Sequence, residues 1–288
     1  MEFVAPCSLK GRDRTGGVQQ LEPGKDEDID ATGHGRNGGK QDIAAASLRS
    51  DAHAVKHRRT TMPLHIGFLL FPHVTQLDLT GPAQILSRVP EAKVHLVWKD
   101  RAPVMTDVGF SIEPTSTFDE CPQLDVLCVP GGFGIADQLT DEQTLGFLKR
   151  QGSGARYVTS VCNGALVLGA AGLLVGYRSA CHWMWRKYLT RFGAIPVEAR
   201  IVRDRNRISG GGVTAGIDFA LQLAAELAGE EMARTLQLAF EYDPQPPFDC
   251  GSPEKAGPER VARLRDMQRE RIARAEAQIE RAALVGGV

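Results

Sequence analysis

Several features that would point to a membrane, an oxidising compartment or a polyanionic partner are missing from this sequence of 288 residues. It contains no run of about 18 apolar residues, so we expect no membrane-spanning helix. The N-terminus lacks the apolar core of a secretory signal, which favours a cytoplasmic location. The six cysteines form no CxxC pair, so reduced thiols are expected rather than disulfides or a metal site. A formal net charge of -1 predicts neither nucleic acid nor a membrane surface as a partner.

Residues 1–61 are also poor in branched apolar side chains and show no sustained period. A segment of this kind cannot bury enough apolar surface to offset the entropy lost on ordering, so we predict that it is disordered. Met62 stands directly before the first strong strand pattern. We therefore interpret Met62 as the true start of translation, and favour this over a regulatory tail.

From Leu64 onward, strand and helix patterns alternate, beginning with the near-continuous apolar run LHIGFLLF. Apolar strands of this kind are typical of a sheet covered on both faces, and their alternation with helices predicts a mostly parallel sheet between two helical layers. The segments RIVRD and RISGG predict a hairpin. We assign this α/β domain to residues 62–250.

Residues 251–288 form a charged C-terminal extension, in which Glu259 to Leu284 is predicted to be a single helix rich in Arg and Glu. A narrow apolar stripe would pack it on the domain: Val261, Leu264, Ile272 and Ile279. A role in bracing a dimer or binding a partner is the alternative. The helix is too short and solitary for a helix-turn-helix DNA-binding domain.

The segment YVTSVCNGALVLGAAG is the most informative for chemistry, because a buried strand leads directly to Cys162 and then to a helix of small residues. Small residues around the cysteine permit the sharp turn of a nucleophile elbow. The N-terminus of the following helix favours the thiolate. Cys162 is therefore our candidate nucleophile, although most lone cysteines are core residues.

Two further stretches could meet Cys162 at the edge of the sheet. Gly131 and Gly132 follow a buried strand, and their N–H groups could hold developing negative charge, or they could form an ordinary turn. Asp78 lies among apolar neighbours in QLDLTGP. It could be an acid with a raised pKa that exchanges protons with the cysteine, or the N-cap of a helix.

His182, in SACHWMW, follows Cys162 after a helix and a short predicted strand, which could return it to the elbow. A structural histidine with satisfied hydrogen bonds is the competing interpretation. The neighbouring Cys181 is interpreted as a packing residue.

Taken in order, these motifs resemble the ThiJ/PfpI superfamily, whose flavodoxin-like domain is akin to class I glutamine amidotransferases. VCNGALVLGAAGLL together with PGG carries the superfamily resemblance, and FPHVTQLDLTGP with VHLVWKD resembles its isonitrile hydratase branch. The resemblance extends from about Leu64 to Pro253. It implies a flavodoxin-like three-layer sandwich, a small-molecule substrate, a homodimer, and no metal or organic cofactor.

For the site, the resemblance implies Cys162 as nucleophile and Asp78 as its acid/base partner. The thiolate would add to the isonitrile carbon to give a thioimidate, which water converts to an N-substituted formamide. Asn163 departs from two patterns: the protease-like branch has histidine there, and the hydratase branch usually has threonine. An amide can donate and accept hydrogen bonds but cannot act as a base.

Two alternative functions follow from the same residues. One is a glyoxalase-like or deglycase enzyme that uses Cys162 with His182. The other is a non-enzymatic redox-sensing or regulatory protein, because this domain also forms the sensing half of AraC-type transcription factors. A regulator of that type needs a DNA-binding domain of roughly a hundred residues after the core.

Overall fold

The computed structural model describes residues 62–286, so the predictions made for residues 1–61 lie outside the described residues. The strands in the described part are β1 (Leu64–Leu69), β2 (Ala92–Trp98), β3 (Val104–Met105), β4 (Ser111–Ile112), β5 (Ser116–Thr117), β6 (Val126–Val129), β7 (Tyr157–Val161), β8 (Arg178–Ser179), β9 (Ile195–Pro196), β10 (Ile201–Asp204) and β11 (Arg207–Gly210).

Helices alternate with these strands and dominate the C-terminal part. They are α1 (Gln76–Leu86), α2 (Ile135–Gln138), α3 (Glu142–Gly154), α4 (Gly164–Ala170), α5 (Ala215–Ala228), α6 (Glu230–Ala239), α7 (Pro253–Ala256), α8 (Pro258–Met267) and α9 (Arg269–Gly286), with a 3₁₀ helix at Arg186–Phe192. Within residues 62–286, no helix is both long enough and apolar enough to span a membrane.

Seven strands form the central sheet in the order β10-β11-β7-β6-β1-β2-β5. Every neighbouring pair is parallel except β10 and β11, which form the predicted antiparallel hairpin. All four residues of β6 are buried, as are the last four of β1 and of β7. The continuous apolar runs of the sequence reflect this burial on both faces, because each central strand is covered by helices.

Helices cover the sheet in two layers, which confirms the flavodoxin-like three-layer sandwich. One layer contains α1, α5 and α6, which pack on one another, and the other contains α3, α4 and the 3₁₀ helix, against which α9 packs. Since β6 and β7 are adjacent parallel strands, their carboxyl ends meet at one edge of the sheet. The loops that follow them, at Pro130 and Cys162, are therefore neighbours.

The C-terminal extension differs from its prediction in one respect. The single helix predicted from Glu259 to Leu284 is two helices, α8 and α9, which are separated at Gln268. Three of the four stripe residues pack on the domain as expected, with Ile279 fully buried and Leu264 and Ile272 partly buried, whereas Val261 is not part of the core. The regular spacing of Arg and Glu continues across the break and so hides it in the sequence.

Candidate active site

Cys162 lies on a strained turn between β7 and α4. Its φ angle is 60°, in the left-handed region that residues other than glycine rarely adopt. Its N–H donates to the Gly210 carbonyl at 3.1 Å, which extends the ladder between β7 and β11 by one residue. A Cβ at Gly164 would lie 2.2 Å from the Val129 carbonyl oxygen, so only glycine lets α4 begin this close to β6. The geometry is that of a nucleophile elbow.

The Gly131-Gly132 loop closes against the segment that precedes α1. Thr75 N–H donates to the Gly131 carbonyl at 2.9 Å, and Val74 forms an isolated antiparallel bridge with Gly132. Gly132 has a φ of 139°, and a Cβ there would lie 2.5 Å from the Thr75 nitrogen. These contacts bring the start of α1 to the elbow.

Asp78 is the third residue of α1 and is completely buried, and the N-cap of that helix is Thr75, so the N-cap interpretation of Asp78 is wrong. Its Oδ2 accepts the Gly131 N–H at 2.9 Å, whereas Oδ1 has no conventional hydrogen-bond partner among the described residues. Burial raises the pKa of Asp78 to about 7, and the Gly131 N–H and the Cys162 thiol oppose this rise. At neutral pH the carboxyl can therefore both give and take a proton.

Cys162 as a whole is 6% exposed, and the pKa of its thiol lies well above the ordinary value. Burial is the main cause, followed by the negative charge of Asp78 and by Cys181, while the Asn163 N–H acts in the other direction. The raised pKa of the Cys162 thiol is opposite to the expectation that the N-terminus of α4 would favour a thiolate. α4 spans only seven residues, and desolvation beside a carboxylate outweighs its dipole.

Asn163 uses both ends of its side-chain amide to hold Gly132. Its Oδ1 accepts the Gly132 N–H at 2.8 Å, and its Nδ2 donates to the Gly132 carbonyl at 3.2 Å. The N–H of Gly131 is engaged by Asp78. The sequence had suggested that these two N–H groups could hold a developing negative charge. Neither is free to do so, and both instead orient side chains around Cys162.

His182 returns to the elbow, as its spacing predicted. Its N–H contacts the Cys162 carbonyl at 3.4 Å, and its Nδ1 accepts the Met184 N–H at 3.3 Å. Burial lowers the pKa of His182 to about 4, so the ring is neutral at physiological pH and carries its proton on Nε2. The His182 ring can therefore donate a hydrogen bond from Nε2, but it is a weak base.

A cavity of about 180 Å³ opens above Cys162. Its lining residues are Thr75, Gly132, Phe133, Cys162, Asn163, His182, Trp185, Val213 and Gln268. Sequence reasoning did not assign Thr75, Phe133, Trp185 and Val213 to the site, although each lies within or close to a motif that it had singled out. It also missed Gln268, for which the sequence offers no signal. Asp78 is not part of the lining and lies behind Cys162.

The site is built from organic side chains and backbone groups. Among residues 62–286, no group of three or more His, Cys, Asp or Glu side chains is arranged to hold a metal ion. The chemistry that we consider below uses the Cys162 sulfur, the Asp78 carboxyl and water.

Residues 65–226, which include the elbow, the glycine loop and Asp78, match the model of the DJ-1/PfpI family. The chain belongs to the DJ-1/PfpI family. The matched segment comprises the central sheet and the helices that position the site, and it ends within α5.

Relatives within the DJ-1/PfpI family include both enzymes and regulators. Isonitrile hydratase of Pseudomonas putida is 58% identical over 195 residues, covering 68% of this chain and 86% of the relative. A crystal structure of a ThiJ/PfpI family protein from Pseudomonas syringae has a TM-score of 0.73 at 43% identity, covering 82% of this chain and 97% of the other. The HTH-type transcriptional regulator GbdR of Pseudomonas aeruginosa is 30% identical over 189 residues, covering 63% of this chain and 51% of the regulator.

Proposed function

We propose that this protein hydrates isonitriles to N-substituted formamides, with Cys162 as the nucleophile and Asp78 as its proton partner. The observation that carries the proposal is the buried Asp78 carboxyl, which faces the Cys162 thiol and has a pKa of about 7. The 58% identity to an isonitrile hydratase supports the choice of substrate class.

The reactive form of the pair holds one proton. At rest that proton lies on sulfur, because burial and the Asp78 charge raise the thiol pKa far above 7. When Asp78 is ionised it can accept this proton as the substrate arrives, which leaves the thiolate beside a neutral carboxylic acid. The Asn163 N–H, which favours the charged sulfur, stabilises this arrangement.

In the first step the thiolate sulfur bonds to the terminal carbon of the isonitrile, and the Asp78 proton is transferred to the same carbon. The product is a thioimidate, in which one C–S and one C–H bond have formed and the nitrogen retains a double bond to carbon. The reaction adds the elements of the thiol across a single carbon, so it requires neither oxidant nor reductant.

In the second step water adds to the thioimidate carbon, and Asp78 takes the proton that water loses and passes it to the nitrogen. The C–S bond of the resulting tetrahedral adduct then breaks while Asp78 carries the hydroxyl proton to the leaving sulfur, which releases the formamide and restores the protonated Cys162 and the ionised Asp78. The neutral His182, with its proton on Nε2, can donate a hydrogen bond to the new oxygen.

We infer a positioning role for Asn163, which is supported by the two hydrogen bonds between its side-chain amide and Gly132. On this proposal, replacing the usual threonine does not remove a reacting group. An Asn163→Thr variant tests this point: loss of the Gly132 contacts should lower kcat, while a higher kcat would indicate that a hydroxyl assists the chemistry directly.

The test is incubation of the purified protein with cyclohexyl isocyanide, with N-cyclohexylformamide measured by NMR. Cys162→Ala should reduce turnover at least ~10³-fold, and Asp78→Asn by ~10²–10⁴-fold. Absence of formamide with the wild type, or full activity in Cys162→Ala, would rule out the proposal.

The same preparation separates the two alternatives. A glyoxalase-like enzyme would convert methylglyoxal and lose that activity in His182→Ala, although a histidine with a pKa of about 4 is a weak base at neutral pH. A regulator would show neither turnover. Its supporting observation is the similarity to GbdR, of which the match covers 51%.

A further inference from the structure

One part of the cavity wall comes from outside the segment that matches the family. Gln268 lines the cavity together with Cys162, whereas every other lining residue lies within residues 65–226. Gln268 occupies the break between α8 and α9, and its backbone groups bond to Arg265 and Ile272 on either side of the break. The C-terminal extension thus contributes directly to the candidate active site.

The joint between α8 and α9 is held against the domain on both sides of Gln268. The Arg265 guanidinium lies over the Trp183 ring at 5.2 Å, and that of Arg271 lies over the Phe133 ring at 4.3 Å. Phe133 itself lines the cavity. Further along, α9 is anchored by a row of buried residues: Ala275, Ile279 and Ala282. Gln268 therefore has a defined place in the wall.

Most other polar groups of the wall are engaged by the protein. The Thr75 hydroxyl donates to Asp107 at 2.8 Å, and the Asn163 amide is bonded at both ends to Gly132. His182 keeps one ring N–H that can only donate. Gln268 lines the cavity, and the bonds that join it to Arg265 and Ile272 use its backbone groups, so its side-chain amide can offer both a donor and an acceptor to a ligand.

We propose that Gln268 is a specificity-determining residue whose side-chain amide hydrogen-bonds a polar group on the N-substituent of the isonitrile. This inference rests on the proposed hydratase function. The substrate class that it names is a small isonitrile whose largely apolar substituent carries one carbonyl, ether or hydroxyl group. Phe133, Trp185 and Val213 contact the apolar part, and a cavity of about 180 Å³ limits its size.

The kinetic test compares ethyl isocyanoacetate with n-pentyl isocyanide, which have chains of similar length but differ in their ester oxygens. Gln268→Leu removes the amide while keeping similar bulk. It should lower kcat/KM for the ester about fivefold more than for the alkyl isonitrile, which corresponds to one neutral hydrogen bond. The loss should appear in KM more than in kcat, and Gln268→Asn should recover part of it.

Positioning of the joint is tested by Arg271→Ala, which frees Phe133 and should weaken the same preference for the ester. Arg269→Ala is the matched control, because Arg269 makes only an exposed ion pair with Asp266 among the described residues. The control should retain the wild-type ratio between the two substrates. If the ratio of kcat/KM between the two substrates changed equally in both variants, the stacking of Arg271 on Phe133 would make no specific contribution.

A second measurement does not depend on turnover. Gln268→Trp should narrow the cavity and slow alkylation of Cys162 by N-ethylmaleimide, as followed by mass spectrometry of the Cys162 peptide. The exposed Cys250 serves as an internal reference and should react at an unchanged rate. An unchanged Cys162 rate would show that residue 268 does not face the thiol.

Failure of the proposed hydratase function and failure of the Gln268 assignment give different results. A wild type that hydrates neither isonitrile overturns the proposed function and the substrate class with it. A wild type that hydrates both, while Gln268→Leu affects them equally, overturns only the assignment of Gln268.

Discussion

At the scale of single residues, the contact between Asp78 and Cys162 has two measurable consequences, because both groups are buried and neither has a cation beside it in the described structure. The pKa of each is raised by desolvation, and the pair has only one proton to lose near neutral pH. Both activity and stability should therefore depend on pH through the same carboxyl.

Activity should rise with pH. Asp78 must be ionised to accept the thiol proton, and its pKa is about 7. We expect kcat/KM for cyclohexyl isocyanide to increase through about pH 7 and then to stay level, because the thiol itself loses its proton only far above this range. A profile that falls across pH 7 would mean that the doubly protonated pair is the reactive form.

The stability of the folded protein, in contrast to its activity, should fall as pH rises. Since the folded-state pKa of Asp78 is raised from 3.8 to about 7, the native state holds a proton that the unfolded state has lost, and stability falls as pH rises between these values. At about 1.36 kcal/mol per pKa unit, the full cost above pH 7 is about 4 kcal/mol.

Asp78→Asn removes that cost, since a neutral amide can still accept the Gly131 N–H. The variant should melt several degrees above the wild type at pH 8, and the difference should vanish near the ordinary carboxyl pKa of 3.8. Thermal unfolding followed by circular dichroism at both pH values checks this. A variant that is less stable than the wild type at pH 8 would contradict the assignment of a buried charge.

At the scale of elements, the elbow depends on how closely α4 approaches β6. A Cβ at Gly164 would lie 2.2 Å from the Val129 oxygen and 2.5 Å from the Pro130 oxygen, and both are backbone atoms that cannot rotate away. The strand, the turn and the helix therefore have to move together if this glycine changes.

Gly164→Ala should destabilise the protein by at least ~3 kcal/mol and lower activity, because α4 must separate from the sheet. Gly146→Ala is the matched control: Gly146 lies inside α3, where an added Cβ would meet only the Arg150 side chain at 3.6 Å. That change should stabilise the protein by about 0.5–1 kcal/mol. Urea unfolding of both variants checks the contrast, and equal effects would show that the approach of α4 is not the constraint.

At the scale of the whole molecule, residues 62–286 contain all seven strands of the central sheet and every residue of the candidate site. A variant that begins at Met62 should therefore keep both its melting temperature and its isonitrile turnover. Side-by-side assays of this variant and the full chain measure the contribution of residues 1–61, and a large loss of activity would assign them a role in the site. The homodimer implied by the resemblance stays a prediction that sedimentation would check.

Much of the fold could be predicted because apolar runs and helix periods are local patterns. The strands β1, β2, β6 and β7, the hairpin and the elbow all follow from such patterns. The thiol pKa could not be predicted in this way, since it depends on burial and on a carboxyl distant in sequence. The engagement of the Gly131 and Gly132 N–H groups and the position of Gln268 likewise result from contacts between remote segments.

The break between α8 and α9 also bears on how such a protein can diverge. The elbow tolerates little change, because a Cβ at Gly131 would lie 2.3 Å from the Asn163 side chain and a Cβ at Gly164 would lie 2.2 Å from the Val129 oxygen. The joint at Gln268 lies in a segment outside the family match and contributes one residue to the lining of the cavity. If Gln268 contacts the substrate as proposed, mutation there would alter which compounds are accepted while the reacting pair stays intact, and selection on substrate range and selection on chemistry would act on separate stretches of the gene.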